Sequence, residues 1–222
     1  FSFRNTTNFL NNKFILDTSA NYIIQNDKNM VSQGQYFNPL TSLYLFPRGE
    51  DFSDVAVYER YDDLSGVNTQ YWPYGDLGGV SSQNPYWIMN RMNRENDRRR
   101  YKLAASLQYN IIEGLNVQGR VSIDNTESKY TEKFHAGTVG NFAGPKGRYK
   151  EENRLDRQVY ADVLANFNKT FNEFNVTANL GASIKDLRME LTSLHGDLNN
   201  VTNHFTIENL TRSGYYKVNA DG

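Results

Sequence analysis

The feature that most constrains the fold is a regular alternation of very short turns and very long loops between stretches of period-two hydrophobicity. Every second residue from Tyr101 to Ile111 is apolar, and the residues between them are mostly polar. The pattern returns at Leu115–Ile123, Val159–Phe167 and Phe174–Ile184. Alternation with this period predicts β-strands that each carry one apolar and one polar face.

These strands are predicted to form three hairpins, about six strands in all, at residues 1–25, 98–136 and 154–189. The first hairpin has the weakest pattern because Ile15 and Ile23 interrupt its alternation. The hairpin turns are short, and the connections between hairpins are long. The turns lie at Asn11-Asn12, Glu113-Gly114 and Phe171-Asn172-Glu173, and the predicted long loops are residues 26–97, 137–153 and 190–222.

Outer-membrane β-barrels have this asymmetry, with short periplasmic turns and long extracellular loops. A soluble β-sandwich gives no reason for every long loop to fall at one end. Aromatic residues also gather beside the short turns, where a periplasmic-side girdle is expected: Phe9, Phe14, Tyr109, Phe167, Phe171 and Phe174. The prediction is therefore an all-β, antiparallel up-and-down segment of a transmembrane β-barrel in a bacterial outer membrane, with long extracellular loops.

The composition agrees with strands that are apolar on one face only. Mean hydropathy is −0.70, yet 14% of the residues are aromatic, and no apolar run is long enough for a membrane helix. The net charge of −1 gives no general attraction to nucleic acid. The chain has no cysteine, so its residues can form neither a disulfide nor a thiolate metal site.

Six strands are too few to close a barrel with a polar interior, since the smallest outer-membrane barrels have about 8. Open edges would expose unpaired backbone groups to lipid, which has no hydrogen bonds to offer them. Residues 1–222 are therefore predicted to be part of one larger barrel domain, and both ends of the sequence have the character of internal segments.

The polar strand faces are predicted to line the barrel lumen, where charged side chains remain hydrated. The candidate lumen-facing residues are Arg100, Lys102, Gln108, Arg120 and Asp124. In the long loop, Ser53–Tyr61 could form a helix with Ser53 as its N-cap, and Asn84-Pro85 could begin another. The loop also supplies the candidate contacts for a substrate or a protein partner, namely Tyr36, Arg48, Tyr71, Trp72, Tyr74, Tyr86 and Trp87. For most of the aromatic residues we favour the simpler interpretation that they form the loop's own small core.

No enzyme, cofactor or metal site is expected. His135, His195 and His204 lack close metal-ligand spacing and are interpreted as solvated surface residues. The adjacent carboxylates, such as Glu50-Asp51 and Glu151-Glu152, do not suggest the paired geometry of a glycosidase. The nucleotide-binding and nucleophile-elbow motifs are also missing from the sequence.

The ordered series of segments resembles a known family. The segments FNPL, LFPRGEDF and NPYWIMNRMNREND, followed by RRRYKLAASLQYNIIEGLNVQGRVSIDN and LDRQVYADVLANFNKTFNEFNVTANLGASI, look like the SusC/RagA family of TonB-dependent transporters of Bacteroidetes outer membranes. The resemblance covers nearly the whole chain, although no single motif is diagnostic.

This resemblance implies a 22-stranded barrel with an N-terminal plug, energised by the TonB system through regions outside this chain. It also implies a SusD-like surface lipoprotein as partner, and oligosaccharides or peptides as imported substrates. Two other classes stay open: another TonB-dependent receptor or a passive porin, and a soluble β-rich glycan-binding or adhesin module with a buried core on the Leu107 face.

Overall fold

The computed structural model describes residues 1–30, 34, 36–74, 83–211 and 215–221. Seven antiparallel strands form one sheet in the order β1-β2-β5-β6-β7-β8-β9, and a small β3–β4 hairpin lies apart. The strands are β1 Ser2–Phe9, β2 Phe14–Lys28, β3 Glu59–Asp62, β4 Val67–Gln70, β5 Met92–Ile112, β6 Leu115–Phe134, β7 Arg148–Phe171, β8 Phe174–Asp197 and β9 Tyr215–Asp221. Two short α-helices, α1 Pro39–Tyr44 and α2 Pro85–Arg91, and two 3₁₀ turns, Phe52–Ala56 and Ile207–Asn209, complete the fold.

Each strand of the large sheet pairs with the next one along the chain, except that β2 pairs with β5 across the long loop. The prediction of an all-β, antiparallel up-and-down arrangement is confirmed. The short turns lie where they were predicted, and residues with positive φ make them tight. Asn11, Asn12 and Asn172 adopt φ values of 53°, 63° and 52°, and Gly114 adopts 85°.

The register gathers the apolar residues of neighbouring strands on one side of the sheet, which we name the apolar face. Leu16, Leu107, Gly119 and Val163 occupy one transverse row of this face. Its side chains are uncovered: Leu107 is 44% exposed, Val163 56% and Ile184 70%. No described residue packs over this face, so it is not the buried core that a self-contained β module would have.

Aromatic residues border the apolar face at both limits. Near the short turns, Phe9, Phe14 and Tyr109 stack side by side, with ring centroids 5.7 and 4.6 Å apart. On the same face, Tyr22 and Tyr101 lie opposite each other, and Tyr101 precedes Tyr109 by eight residues in β5. At about 3.4 Å per residue the two aromatic rows are about 27 Å apart along the strand. With the usual strand tilt, this spacing is close to the height of a barrel's apolar band, about 25 Å.

The strands continue well past this band toward the long loops. β5 to β8 have 21, 20, 24 and 24 residues, whereas a tilted strand needs about 9–11 to cross a bilayer. Beyond Tyr101 the same side of the sheet becomes charged, with Arg99, Glu127 and Glu190 in one row. This charged continuation is suited to contact with water rather than with lipid.

The principal buried cluster lies at the long-loop end, where loop residues pack against the ends of β5 and β6. Trp87, Ile88, Met92, Phe134 and Ala143 form it, and Phe37, Tyr58 and Phe142 pack against it. We name residues 36–74, 83–91 and 135–147 the loop subdomain. Neither α1 nor α2, nor any other helix in the described residues, has the length and apolar character that crossing a bilayer requires.

Several sequence predictions need correction. The segment Tyr215–Asp221 is a seventh strand of the sheet, not loop. The hairpins extend further than predicted at the long-loop end, to Lys28, Met92, Arg148 and Asp197. Asp51, not Ser53, caps a short 3₁₀ turn, because its carboxylate accepts a hydrogen bond from the Ser53 amide. The helix after Asn84 is present as predicted.

Candidate functional site

The five residues predicted to face a lumen share the side of the sheet opposite Leu107, which we name the polar face. Arg100, Lys102 and Gln108 alternate with the apolar residues of β5, and the register places Asp124 opposite Lys102 and Arg120 opposite Ser106. The period-two pattern was sufficient to group them, because successive side chains of a strand point to opposite faces.

Ion pairs connect neighbouring strands across the polar face. Arg100 binds Asp124 through two hydrogen bonds, Nε to Oδ1 at 2.8 Å and Nη2 to Oδ2 at 2.6 Å. Arg120 Nε donates to Asp162 Oδ1 at 2.8 Å. A third pair joins β1 to β2, where Arg4 and the Thr6 hydroxyl both donate to Asp17 Oδ2. The polar face therefore carries ion pairs between neighbouring strands, which suit contact with water or a polar solute and do not suit contact with lipid.

A polar hub at Asn84 holds the loop subdomain together. Its Oδ1 caps α2 by accepting from the Tyr86 amide at 2.9 Å, while its Nδ2 donates to the carbonyls of Val55 and Tyr71. The Asn84 amide donates to Gln70 Oε1. Asn84 is fully buried, and it satisfies backbone groups from three separate loop segments.

A second junction joins the β3–β4 hairpin to the end of α2. Arg91 forms a two-bond ion pair with Glu59, at 2.8 and 2.9 Å, and holds the pKa of Glu59 below its ordinary value. His135 lies beside them and packs on Phe205, with ring centroids 5.0 Å apart. Burial, together with the smaller effect of the nearby Arg91 charge, lowers the pKa of His135 to about 4. The prediction that His135 is a solvated surface residue is wrong, whereas His204 is exposed.

The seven loop residues predicted to contact a substrate or partner fall into three groups. Trp87 is completely buried and donates from Nε1 to the Thr138 hydroxyl, so it forms core and presents no contact surface. Tyr36 and Arg48 are exposed. The others are half-buried in contacts of the loop subdomain: Tyr71 lies under Arg60, Trp72 and Tyr74 pack edge to face, and Tyr86 stacks against Tyr58.

The structure also shows polar-face residues that were not predicted from the sequence. Beyond the apolar band, Tyr130 donates to Glu132 at 2.7 Å, and the Lys150 ammonium lies 5.4 Å from the Tyr130 ring centroid. Burial raises the pKa of the Tyr130 hydroxyl. Counting every second residue along the strands could have assigned these residues to the same face as Arg100. The alternation of polar and apolar residues is not visible here, because both faces of the strands carry charges.

No protein-family model matches the sequence, and no curated protein is significantly similar to it. Solved structures do match. A chain of the RagAB peptide transporter superposes with a TM-score of 0.65 at 14% identity, over 99% of this chain and 24% of that one. The fold of this chain is therefore similar to that of part of the RagAB chain. The RagAB peptide importer in its closed-closed and open-open states gives TM-scores of 0.63 and 0.67 at 16% and 14% identity.

This chain therefore spans about a quarter of the length of each RagAB chain that it matches. At such low identity the likeness establishes a shared fold and nothing finer. Within the described residues, no group of three or more His, Asp or Glu side chains is placed to hold a metal ion. The candidate site is the polar face together with the loop subdomain at its long-loop end.

Proposed function

We propose that this chain is a wall segment of a SusC/RagA-type, TonB-dependent importer in a bacterial outer membrane. The partition of the two sheet faces carries the proposal. The apolar face has an uncovered band bordered by aromatic rows, while the polar face carries three cross-strand ion pairs. Charge is costly toward lipid and tolerated toward an aqueous lumen, so this partition fits a barrel wall.

In this proposal the importer takes up peptides or oligosaccharides, with a SusD-like lipoprotein closing over its extracellular mouth. The solute is captured under the lipoprotein and released through the barrel by TonB-driven movement of regions outside this chain. The loop subdomain, which lies at the end of the sheet where the strands project beyond the band, is the part of this chain that would meet the lipoprotein. The proposal includes no catalytic step and no cofactor.

Uptake by cells that make the full-length protein tests this function. Cells are given fluorescent oligopeptides or oligosaccharides, with and without a functional TonB system, and the outer-membrane complex is purified by a tag on the full-length protein. We expect TonB-dependent uptake of one of the two solute classes and copurification of a surface lipoprotein. Uptake that persists without TonB would indicate a passive porin. Uptake of iron chelates without a lipoprotein would indicate another class of TonB-dependent receptor.

A further inference from the structure

A cavity of about 350 Å³ lies on the polar face where β6 and β7 meet the loop subdomain. β6 and β7 contribute the charged side chains of Glu132, Arg148 and Lys150. The loop subdomain contributes the rings of Phe37 and Phe142, whose centroids are 5.2 Å apart. Cationic and aromatic groups therefore line the same small space.

Arg148 is the unusual member of this cavity. Its Nε is buried and has no hydrogen-bond partner, and its guanidinium forms no ion pair with any described residue. The register places Asp197 opposite Arg148, but Asp197 Oδ1 accepts from the Gly144 amide instead. A buried polar atom without a partner is rare, and the rest of this half-buried side chain borders the cavity. Arg148 is therefore the residue of this lining best placed to receive an anion.

The other charges define which anion suits the site. Lys150 is partly engaged by Glu152 at 3.0 Å, and the Glu132 carboxylate accepts from the Tyr130 hydroxyl. Arg148, Lys150 and the Glu132 carboxylate together leave a single net positive charge in the lining, and His195 of β8 adds an imidazole to it. One negative charge balances it, whereas the carboxylate of Glu132 disfavours a dianion such as a phosphate monoester.

The aromatic side of the cavity accommodates the part of the ligand that carries this charge. Phe37 and Phe142 are half-buried, so each keeps a surface free toward the cavity. Apolar walls with a few convergent polar groups are typical of small-molecule sites, where the polar groups set orientation and specificity.

We propose that this cavity binds a carboxylate of the imported solute, with Arg148 as its main partner and Lys150 in support. This inference rests on the proposed importer function and adds to it the chemistry that the solute must carry. Guanidinium and carboxylate match in shape and charge, and the two can form parallel hydrogen bonds. The carboxylate could belong to a peptide C-terminus or to a uronic acid of an acidic glycan.

Binding to the purified full-length protein in detergent tests this proposal. One probe pair is N-acetyl-tetraalanyl-phenylalanine and its C-terminal amide, and the second pair is trigalacturonate and its methyl ester. Titration calorimetry is performed on the wild type, Arg148→Gln and Lys150→Gln. The variant Arg148→Lys is titrated as well, because it retains the positive charge. Arg99→Gln is the matched control, because Arg99 is exposed in a row on the opposite side of the sheet.

We expect the wild type to prefer the acid of one pair over its neutral partner by about tenfold or more, the scale of a charge-assisted hydrogen bond. Arg148→Gln should remove that preference and leave the affinity for the neutral probe unchanged, Lys150→Gln should reduce it, and Arg99→Gln should retain it. The pair that shows the preference identifies the source of the carboxylate. Equal affinity of the wild type for acid and neutral probes in both pairs would overturn the proposal, even if Arg148→Gln failed to fold.

The same experiment separates this inference from the function on which it rests. An importer with TonB-dependent uptake that does not distinguish acid from amide or ester contradicts the carboxylate site alone. A protein that is absent from the outer membrane contradicts the proposed function, and the uptake measurement reveals this without reference to Arg148.

Discussion

Leu107 and Gln108 are neighbours in sequence but lie on opposite faces of the sheet. Leu107 belongs to the uncovered apolar face, and Gln108 donates from Nε2 to Asn110 Oδ1 at 2.9 Å on the polar face. In a membrane, an arginine substituted for Leu107 would therefore face lipid, whereas an arginine substituted for Gln108 would face water. This makes the adjacent pair a direct measure of how the sheet is oriented in a membrane.

We expect Leu107→Arg to lower the amount of folded protein in the outer membrane, because a cationic side chain facing lipid costs up to about 2–4 kcal/mol. Gln108→Arg should leave the amount nearly unchanged. The folded form is measured by its heat-modifiable mobility in outer-membrane fractions of cells that make the full-length protein. Equal yields for the two variants would contradict the assignment of the faces.

His135 gives the loop subdomain a dependence on pH. Its folded-state pKa, about 4, lies below the ordinary value of 6.5, so folding favours the neutral imidazole. Stability is therefore complete above the unfolded pKa and decreases as the pH falls from 6.5 toward 4. Arg91 and Glu59 are the charged groups that influence His135, and Glu59, with its lowered pKa, loses its contribution only at more acidic pH.

We expect amide hydrogen exchange in residues 59–70, corrected for intrinsic rates, to be faster at about pH 5 than at about pH 7. His135→Gln should abolish this difference, because it removes the titrating group. His204→Gln is the matched control, since His204 is exposed, and it should behave as the wild type does. A pH response that is identical in His135→Gln and the wild type would show that another group is responsible.

At the scale of elements, the two α-helices begin in the same way but differ in what their caps hold. Asn38 precedes Pro39 and Asn84 precedes Pro85, and each asparagine accepts a hydrogen bond from the amide two residues later. Asn84 additionally donates to the carbonyls of Val55 and Tyr71. Among the described residues, the Asn38 side chain makes only its capping bond, and Asn38 is half-buried rather than fully buried.

Asn84→Ala should therefore destabilise the loop subdomain more than Asn38→Ala does. Loss of either cap costs about 1 kcal/mol. Two buried carbonyls left without donors in Asn84→Ala add about 1–3 kcal/mol each. Thermal unfolding followed by tryptophan fluorescence measures the difference, and similar midpoints for the two variants would indicate that Asn84 acts only as a cap.

The sequence predicted the elements best where one face alone is apolar. There the period-two pattern located six strands, their turns and the residues of the polar face. The pattern weakened at the long-loop end, where Arg99 and Arg100 point to opposite faces and both faces are charged, so the strands were predicted too short. Strand β9 was missed because Val218–Asp221 lacks both a clear alternation and a short turn to a partner strand.

The candidate site was predictable only in part, for a similar reason. The assignment of Arg100, Lys102 and Asp124 to the polar face depends on the alternation of side chains along each strand, which can be read from the sequence. The burial of Trp87 and the unpaired state of Arg148 depend on contacts between segments far apart in the chain, such as Trp87 with Thr138. No local pattern records such contacts.

At the scale of the whole molecule, the short turns and the loop subdomain lie at opposite ends of the sheet. If the sheet spans the outer membrane, the two ends face different compartments. Leu64, at the tip of the β3–β4 hairpin, is 98% exposed, and Glu113 lies in the short turn between β5 and β6. Because the chain has no cysteine, a single introduced thiol reports its own location.

We expect a membrane-impermeant maleimide to label Leu64→Cys on intact cells. Glu113→Cys should be labelled only after the outer membrane is permeabilised, because the short turns of such barrels face the periplasm. The full-length parent protein without either substitution gives the background. Labelling of Glu113→Cys on intact cells would contradict the proposed orientation.

The pairing of β2 with β5 also bears on how the sheet assembles. All other neighbouring strands of the large sheet follow one another directly in the chain, whereas β2 and β5 are separated by more than sixty residues. The conformational entropy lost on closing a loop increases with its length. Asn29 and Arg94 hold the two ends of that loop together, since the Asn29 amide donates to the Arg94 carbonyl at 2.7 Å and the Arg94 amide donates to Asn29 Oδ1 at 2.8 Å. A loop that has already condensed around Trp87 brings these ends close before the strands meet. Folding of the loop subdomain is therefore expected to set the rate at which the β1–β2 hairpin joins the rest of the sheet.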